Sequence, residues 1–211
     1  MIRHAIGKAL GVGLLAATLL TAASCEGEAA PIAKPSTAQG AVAIFAGGCF
    51  WCTEQDFEQL DGVVDAESGY IGGHTANPTY PQVGYGMTGH TEAVRVIYDP
   101  ARISYARLVE YFWRSIDPTV KDRQFCDVGD SYRTGIYWLN EEQKKIAAAS
   151  RDALLRSQRF PVIHTEILPA GTFWMAEQYH QDYYKTNAVR YKYYRYACGR
   201  DARLKQLWGS P

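Results

Sequence analysis

The sequence has no excess of charge: Lys and Arg total 22, and Asp and Glu total 22. Without a net field nothing gathers nucleic acid or an anionic membrane. The expected partner is therefore a peptide or small molecule, with no nucleic acid. No apolar run is long enough for a comfortable membrane span, since the longest, Ala9–Ala23, is short for one. There is no internal repeat, no Gly-rich phosphate loop and no dinucleotide fingerprint. Cysteine is scarce, five in 211 residues, and only one C-x-x-C occurs. A zinc site of four ligands wants a second such pair, so no metal is expected.

What is present is an ordinary globular composition, 47% hydrophobic and 21% charged, in a chain long enough to bury one full core. Arg3, His4 and Lys8 precede the apolar run and small residues follow it, the pattern of an export signal over residues 1–25. "TAASC" offers two processing routes: cleavage after a small residue, or lipidation of Cys25. Residues 26–40, rich in Ala, Pro, Ser and Gly, read as a flexible linker, and 41–211 as the folded domain. The expected location is the periplasm, with the membrane reached only through a lipid anchor at Cys25. Nothing in the sequence demands more than a monomer.

Within the domain, periodicity predicts strands over Ala41–Ala46, Val63–Gly73, Glu92–Tyr98, Thr134–Leu139 and Val162–Leu168. Helices are expected over Cys49–Leu60, Ser104–Ile116, Asn140–Gln158 and Met175–Lys185, with long loops at His74–Thr91 and Asp117–Arg133. Strands and helices mix without strict alternation. The fold class expected is α+β, a two-layer α/β sandwich on a mixed sheet.

The chemistry concentrates in "AIFAGGCFWCTEQDF". A strand, two glycines and a helix place Cys49 at a helix N-terminus, where free N–H groups and the dipole favour a thiolate. Cys52 lies on the same helical face, within reach of a disulfide. On spacing alone a structural disulfide and a thioredoxin-like oxidoreductase using Cys49 and Cys52 stand beside a catalytic thiol.

"GGCFWCTE", "SGYIGG", "NPTY", "TGHTEAVRVIYDP", "FCDVGDSYRTGIY" and "YHQDYY" follow one another in an order that resembles the peptide methionine sulfoxide reductase A family over roughly Ala41–Gly199. The resemblance implies a ferredoxin-like core with long active-site loops and thiol-dependent reduction of methionine-S-sulfoxide, in proteins and free. It implies Cys49 as nucleophile, Glu92 as proton donor to the sulfoxide oxygen, Tyr80 and Tyr132 as hydroxyls on that oxygen, and Asp127 organising the pocket. Phe50 and Trp51 form the wall for the methyl group. A second thiol resolves the sulfenic acid, and a thioredoxin-like protein restores the enzyme without metal, flavin or nicotinamide. Cys52 stands where many members have Gly, and the tail carries a single cysteine, Cys198. Both are candidate resolvers; the preferred scheme uses Cys52 and pairs Cys126 with Cys198. The competing function is an exported, disulfide-stapled peptide-binding module that keeps the pocket without turnover.

Overall fold

The computed structural model describes residues 40–209; the signal segment, Cys25 and most of the linker lie outside the described residues. The elements run β1 (Ala41–Gly47), α1 (Phe50–Glu58), β2 (Val63–Ile71), α2 (Tyr80–Gly84), β3 (Thr91–Tyr98), α3 (Tyr105–Arg114), β4 (Arg123–Gln124), β5 (Asp127–Val128) and β6 (Thr134–Trp138). There follow α4 (Glu141–Arg156), β7 (Glu166–Pro169), β8 (Trp174–Met175), α5 (Tyr183–Thr186), α6 (Ala188–Ala197) and α7 (Arg200–Trp208).

Six strands form one sheet in the order β7-β6-β1-β3-β2-β8. All neighbours are antiparallel except β6 and β7, so the sheet is mixed. The units β1-α1-β2 and β3-α3-β6 interleave to give β6-β1-β3-β2, the ferredoxin-like arrangement expected from the resemblance.

Strand alternation sorts the side chains. Ala43 and Phe45 of β1, with Val94 and Val96 of β3, enter the large core against α1 and α3, where Phe45 stacks on Phe57 at 4.8 Å and on Phe112 at 5.0 Å. Ile44, Ala46 and Ala93 face the opposite side, a smaller cluster flanked by Phe173. Ser104 Oγ accepts from Arg107 N at 3.2 Å and Asn140 Oδ1 from Gln143 N at 2.9 Å, capping α3 and α4 where the sequence places their starts.

Two expectations fail. The strand expected at Val162–Leu168 is confined to Glu166–Pro169. The helix expected at Met175–Lys185 is instead β8, a 3-10 turn at Gln178–His180 and the short α5, broken by Asp182 at φ +52°. Tertiary hydrogen bonds override the local pattern there. Gln181 Oε1 accepts from Ser68 N and its Nε2 donates to Ser68 O, both at 2.9 Å, while Asp182 N donates to Glu54 Oε1 at 2.5 Å. The tail, for which the sequence offered only aromatic clustering, forms α6 and α7, separated by Gly199 at φ +71°.

Gly48 turns β1 into α1 at φ +82°, and a Cβ there would lie 2.5 Å from Gln124 Cβ. Gly48→Ala is expected to lower the unfolding free energy by about 1–3 kcal/mol, from the left-handed backbone and the clash together. Denaturant unfolding checks this, and a loss below about 0.5 kcal/mol would contradict it.

Candidate active site

Cys49 occupies the N-cap of α1 but makes no capping bond of its own. That function passes to Glu92, whose Oε2 on β3 accepts the main-chain N–H of Phe50 at 2.9 Å. The carboxyl is thus fixed beside the nucleophile by the helix start itself. Glu92 is 3% exposed, and burial pushes it up to about 8, with Asp127 adding to the rise and the Phe50 N–H opposing it. The sequence expectation of a carboxyl protonated near neutrality matches this environment.

The expectation of a depressed Cys49 needs correction. The thiol is 6% exposed, and burial raises it well above its ordinary value; the adjacent Cys52 thiol comes next, then the charges of Glu92 and Asp127. In an enclosed site facing carboxyls, desolvation outweighs the helix terminus. Cys52 moves the other way, lowered first by its hydrogen bond to Cys49 and then, against burial, by Arg200. Burial and the neighbouring groups thus push the two thiols in opposite directions, Cys49 up and Cys52 down.

Phe50 lies fully buried beneath the thiol, its ring 5.9 Å from Tyr70, 6.1 Å from Tyr80 and 5.0 Å from His180. Trp51, half-buried, stacks on Tyr183 at 3.7 Å and donates from Nε1 to His180 Nδ1 at 3.0 Å. Burial lifts the hydroxyls of both Tyr80 and Tyr132, with Glu92 the largest contributing charge. Asp127 accepts from Tyr194 Oη at 2.6 Å. Cys49, Phe50, Trp51, Cys52, Tyr80, Glu92, Asp127 and Tyr132 thus converge on one place.

Cys198 does not reach that place as a thiol. Its sulfur is bonded to Cys126, with Cα atoms 5.0 Å apart. The free cysteines among the described residues are Cys49 and Cys52. Among the described residues two clusters have ligand-like spacing, Cys126–Asp127–Cys198 and Glu54–Glu58–Asp182. The first has both sulfurs engaged in the disulfide, and Lys185 already bridges Glu58 at 2.7 Å and Asp182 at 2.6 Å in the second. A cavity of about 690 Å³ between α3, α6 and α7 is lined by Arg107, Tyr111 and Trp208 and touches neither thiol.

Sequence reasoning missed several supports. Glu177 accepts from Tyr70 Oη at 2.8 Å and from Tyr80 N at 2.9 Å, holding α2 over Phe50. Tyr183 and Tyr194 are anonymous among 15 tyrosines, and Arg200 carries no local signal at all.

Comparison with known proteins agrees with this constellation. Residues 41–211 match the family model of peptide methionine sulfoxide reductase. The chain is 50% identical over 184 residues to peptide methionine sulfoxide reductase MsrA 2 of Caulobacter vibrioides, covering 87% of this chain and 92% of the relative. It is 56% identical over 151 residues to MsrA of Streptococcus agalactiae, covering 71% and 89%. Among solved structures, reduced Mxr1 from Saccharomyces cerevisiae superposes with a TM-score of 0.68 at 31% identity, over 74% of this chain and 90% of that one. Methionine sulfoxide reductase A of Corynebacterium diphtheriae gives 0.64 at 36%, over 70% and 75%. A buried thiol beside a proton-holding carboxyl, on this sheet and with these relatives, admits one assignment: the chain belongs to the peptide methionine sulfoxide reductase family.

Proposed function

We propose that the enzyme reduces methionine-S-sulfoxide through Cys49, with Glu92 as proton donor and Cys52 as the resolving thiol. The observation that carries this reading is Glu92, buried, held by the Phe50 N–H at 2.9 Å and pushed up to about 8 at the edge of the nucleophile.

A sulfoxide oxygen needs a proton as its sulfur is attacked. Cys49 attacks the sulfur, Glu92 protonates the oxygen with Tyr80 and Tyr132 hydrogen-bonded to it, and Asp127 orders that side of the pocket. The proton of the Cys49 thiol returns Glu92 to its acid form. The thioether leaves as methionine, and Cys49, oxidised by two electrons, remains as a sulfenic acid. Cys52 then condenses with it, water leaves, and an external dithiol of the thioredoxin type reduces the disulfide.

Trp51 supplies the apolar wall for the methyl group, with Phe50 as the floor that fixes its angle. Tyr85, Met87, Val128 and Tyr179 stand exposed on the loops carrying Tyr80, Asp127 and His180, an apolar rim suited to peptide substrates. The acting unit proposed is the monomer, with thiols, proton donor and hydroxyls all supplied by this chain. The basic, apolar and small-residue order of the N-terminal segment supports export to the periplasm, with Cys25 as the point of lipid attachment if it is retained.

The test is stoichiometric. Reduced protein given excess methionine-S-sulfoxide peptide and no reductant should yield about one methionine and lose about two thiols per chain. Cys52→Ser should still yield about one methionine but lose about one thiol, leaving a dimedone-reactive sulfenic acid. No methionine from the wild type would return the chain to the binding-module reading. A Cys49–Cys198 linkage in the peptide map would remove Cys52 from its role.

A further inference from the structure

Arg200, the first residue of α7, is 1% exposed, a rare state for a guanidinium. Its Nη2 donates to Ser115 O at 2.8 Å and Asp56 Oδ2 at 3.2 Å, and its Nη1 to Gly47 O at 3.3 Å. The plane lies over the Phe125 ring at 4.6 Å. Its Nε is buried without an acceptor. Two of these partners flank the thiol pair along the chain. Gly47 is two residues before Cys49, and Asp56 is one turn after Cys52 on the same face of α1.

The inner carboxylate does not neutralise the cations around it. Asp56, 5% exposed, is shared between Arg200 and Arg195, the latter at 2.7 Å. Arg195 also pairs with Asp201 at 2.7 Å, but that carboxylate is largely exposed and screened by water. A buried cation left partly uncompensated is costly unless an anion forms nearby. Cys52, buried one turn before Asp56 on the same face of α1, is a thiol able to become one.

We propose that Arg200 is a positioning residue for the second step of the reaction, holding the Cys52 sulfur as the thiolate that attacks the Cys49 sulfenic acid. The inference rests on Cys52 being the resolver. In that step the S–S bond forms, the S–O bond of the sulfenic acid breaks, and the hydroxide leaves as water with a proton from Glu92. The proton that Cys52 gave up replaces it, so sulfenic acid plus thiol becomes disulfide plus water. The groups facing Cys52 are Cys49 and Asp56 from α1, Glu92 from β3, Tyr191 and Arg195 from α6, and Arg200 itself. Arg200 and Arg195 favour the thiolate; Asp56 opposes it.

Loss of the Arg200 charge should raise the Cys52 midpoint and shrink its thiolate fraction. The more basic thiolate recovers part of that loss in nucleophilicity, and the net slowing expected is about tenfold. The experiment is a quenched single turnover that follows methionine formation and, separately, the decay of dimedone-trappable sulfenic acid, across pH. In Arg200→Met the first step should stay within about threefold, while the second slows about tenfold and its pH midpoint rises. Arg200→Lys should recover most of the rate, and Asp56→Asn should move the midpoint down. An unshifted midpoint in Arg200→Met, or a parallel slowing of both steps without a shift, overturns the proposal. If that variant does not fold, the Asp56→Asn midpoint decides, because a merely structural role of Arg200 leaves it unmoved. Peptide mapping separates the two failures: a Cys49–Cys198 bridge sinks the choice of resolver, whereas a Cys49–Cys52 bridge formed at an unchanged rate sinks Arg200 alone.

Discussion

Glu92→Gln should lower the rate of methionine formation by about 10²–10⁴-fold, the range typical of losing a positioned proton donor. The amide keeps an oxygen to accept the Phe50 N–H, so the start of α1 and the placement of Cys49 should survive. It cannot donate an acidic proton to the sulfoxide oxygen. In the wild type the first step should fall as pH rises through about 8, because only protonated Glu92 acts. That limb should vanish in the variant. The same carboxyl makes an opposite contribution to stability. Its folded value lies above the ordinary 4.5, so between about 4.5 and 8 the native state holds a proton the unfolded chain has released. Stability from this group is thus lost as pH rises across that window. Glu92→Gln should gain on the wild type in denaturant midpoint from pH 5 to 8 and hold its advantage above. A variant that keeps full activity would remove Glu92 from the chemistry, and one that loses stability at pH 8 would contradict its burial as a strained acid.

Replacing Cys126 and Cys198 together by Ser should lower the unfolding free energy by about 2–4 kcal/mol. The bond closes a loop of sequence separation 72, for which the chain-entropy relation gives about 4 kcal/mol. Denaturant unfolding of the oxidised proteins measures this, and the slope with denaturant should also rise as the unfolded chain expands. A loss under about 1 kcal/mol would show that α6 and the Asp127 loop hold together without the bond. Methionine formation in a single turnover should persist, since Cys49 and Cys52 are separate from this pair.

Much of the centre of the fold was legible in the sequence. β1, α1, β3, α3, β6 and α4 carry clean periods, and Ser104 and Asn140 announce their helices by capping chemistry that acts within four residues. Cys49 was readable because a thiol after Gly-Gly at a helix start is an unusual placement, whereas Glu92 was named only by the resemblance, a carboxyl at a strand end being ordinary on its own. The region from Glu177 to Asp182 was not, because its conformation is set by Trp51, Ser68 and Glu54, more than a hundred positions earlier. The state of Cys49 also escaped. A helix terminus is local and visible in sequence, whereas enclosure by Tyr183, Tyr191 and Tyr194 is not. Arg200 was invisible for the same reason, since an arginine after Cys-Gly looks like any surface cation until the chain is folded.

The lid over the thiols has a consequence for synthesis. Cys49 and Cys52 sit near the start of the folded domain, and the residues that cover and charge them, Tyr183, Tyr191, Tyr194, Arg195 and Arg200, are among the last to be made. During elongation β1 and α1 can pair with β3 and β6 while both sulfurs are still naked and lack their guanidinium. The nascent chain therefore carries two uncovered thiols until its final turns arrive, and any fragment ending before α6 keeps both cysteines without Tyr191, Tyr194, Arg195 and Arg200. Completion of the chain is, for this enzyme, the step that closes the aromatic cover over its cysteine pair.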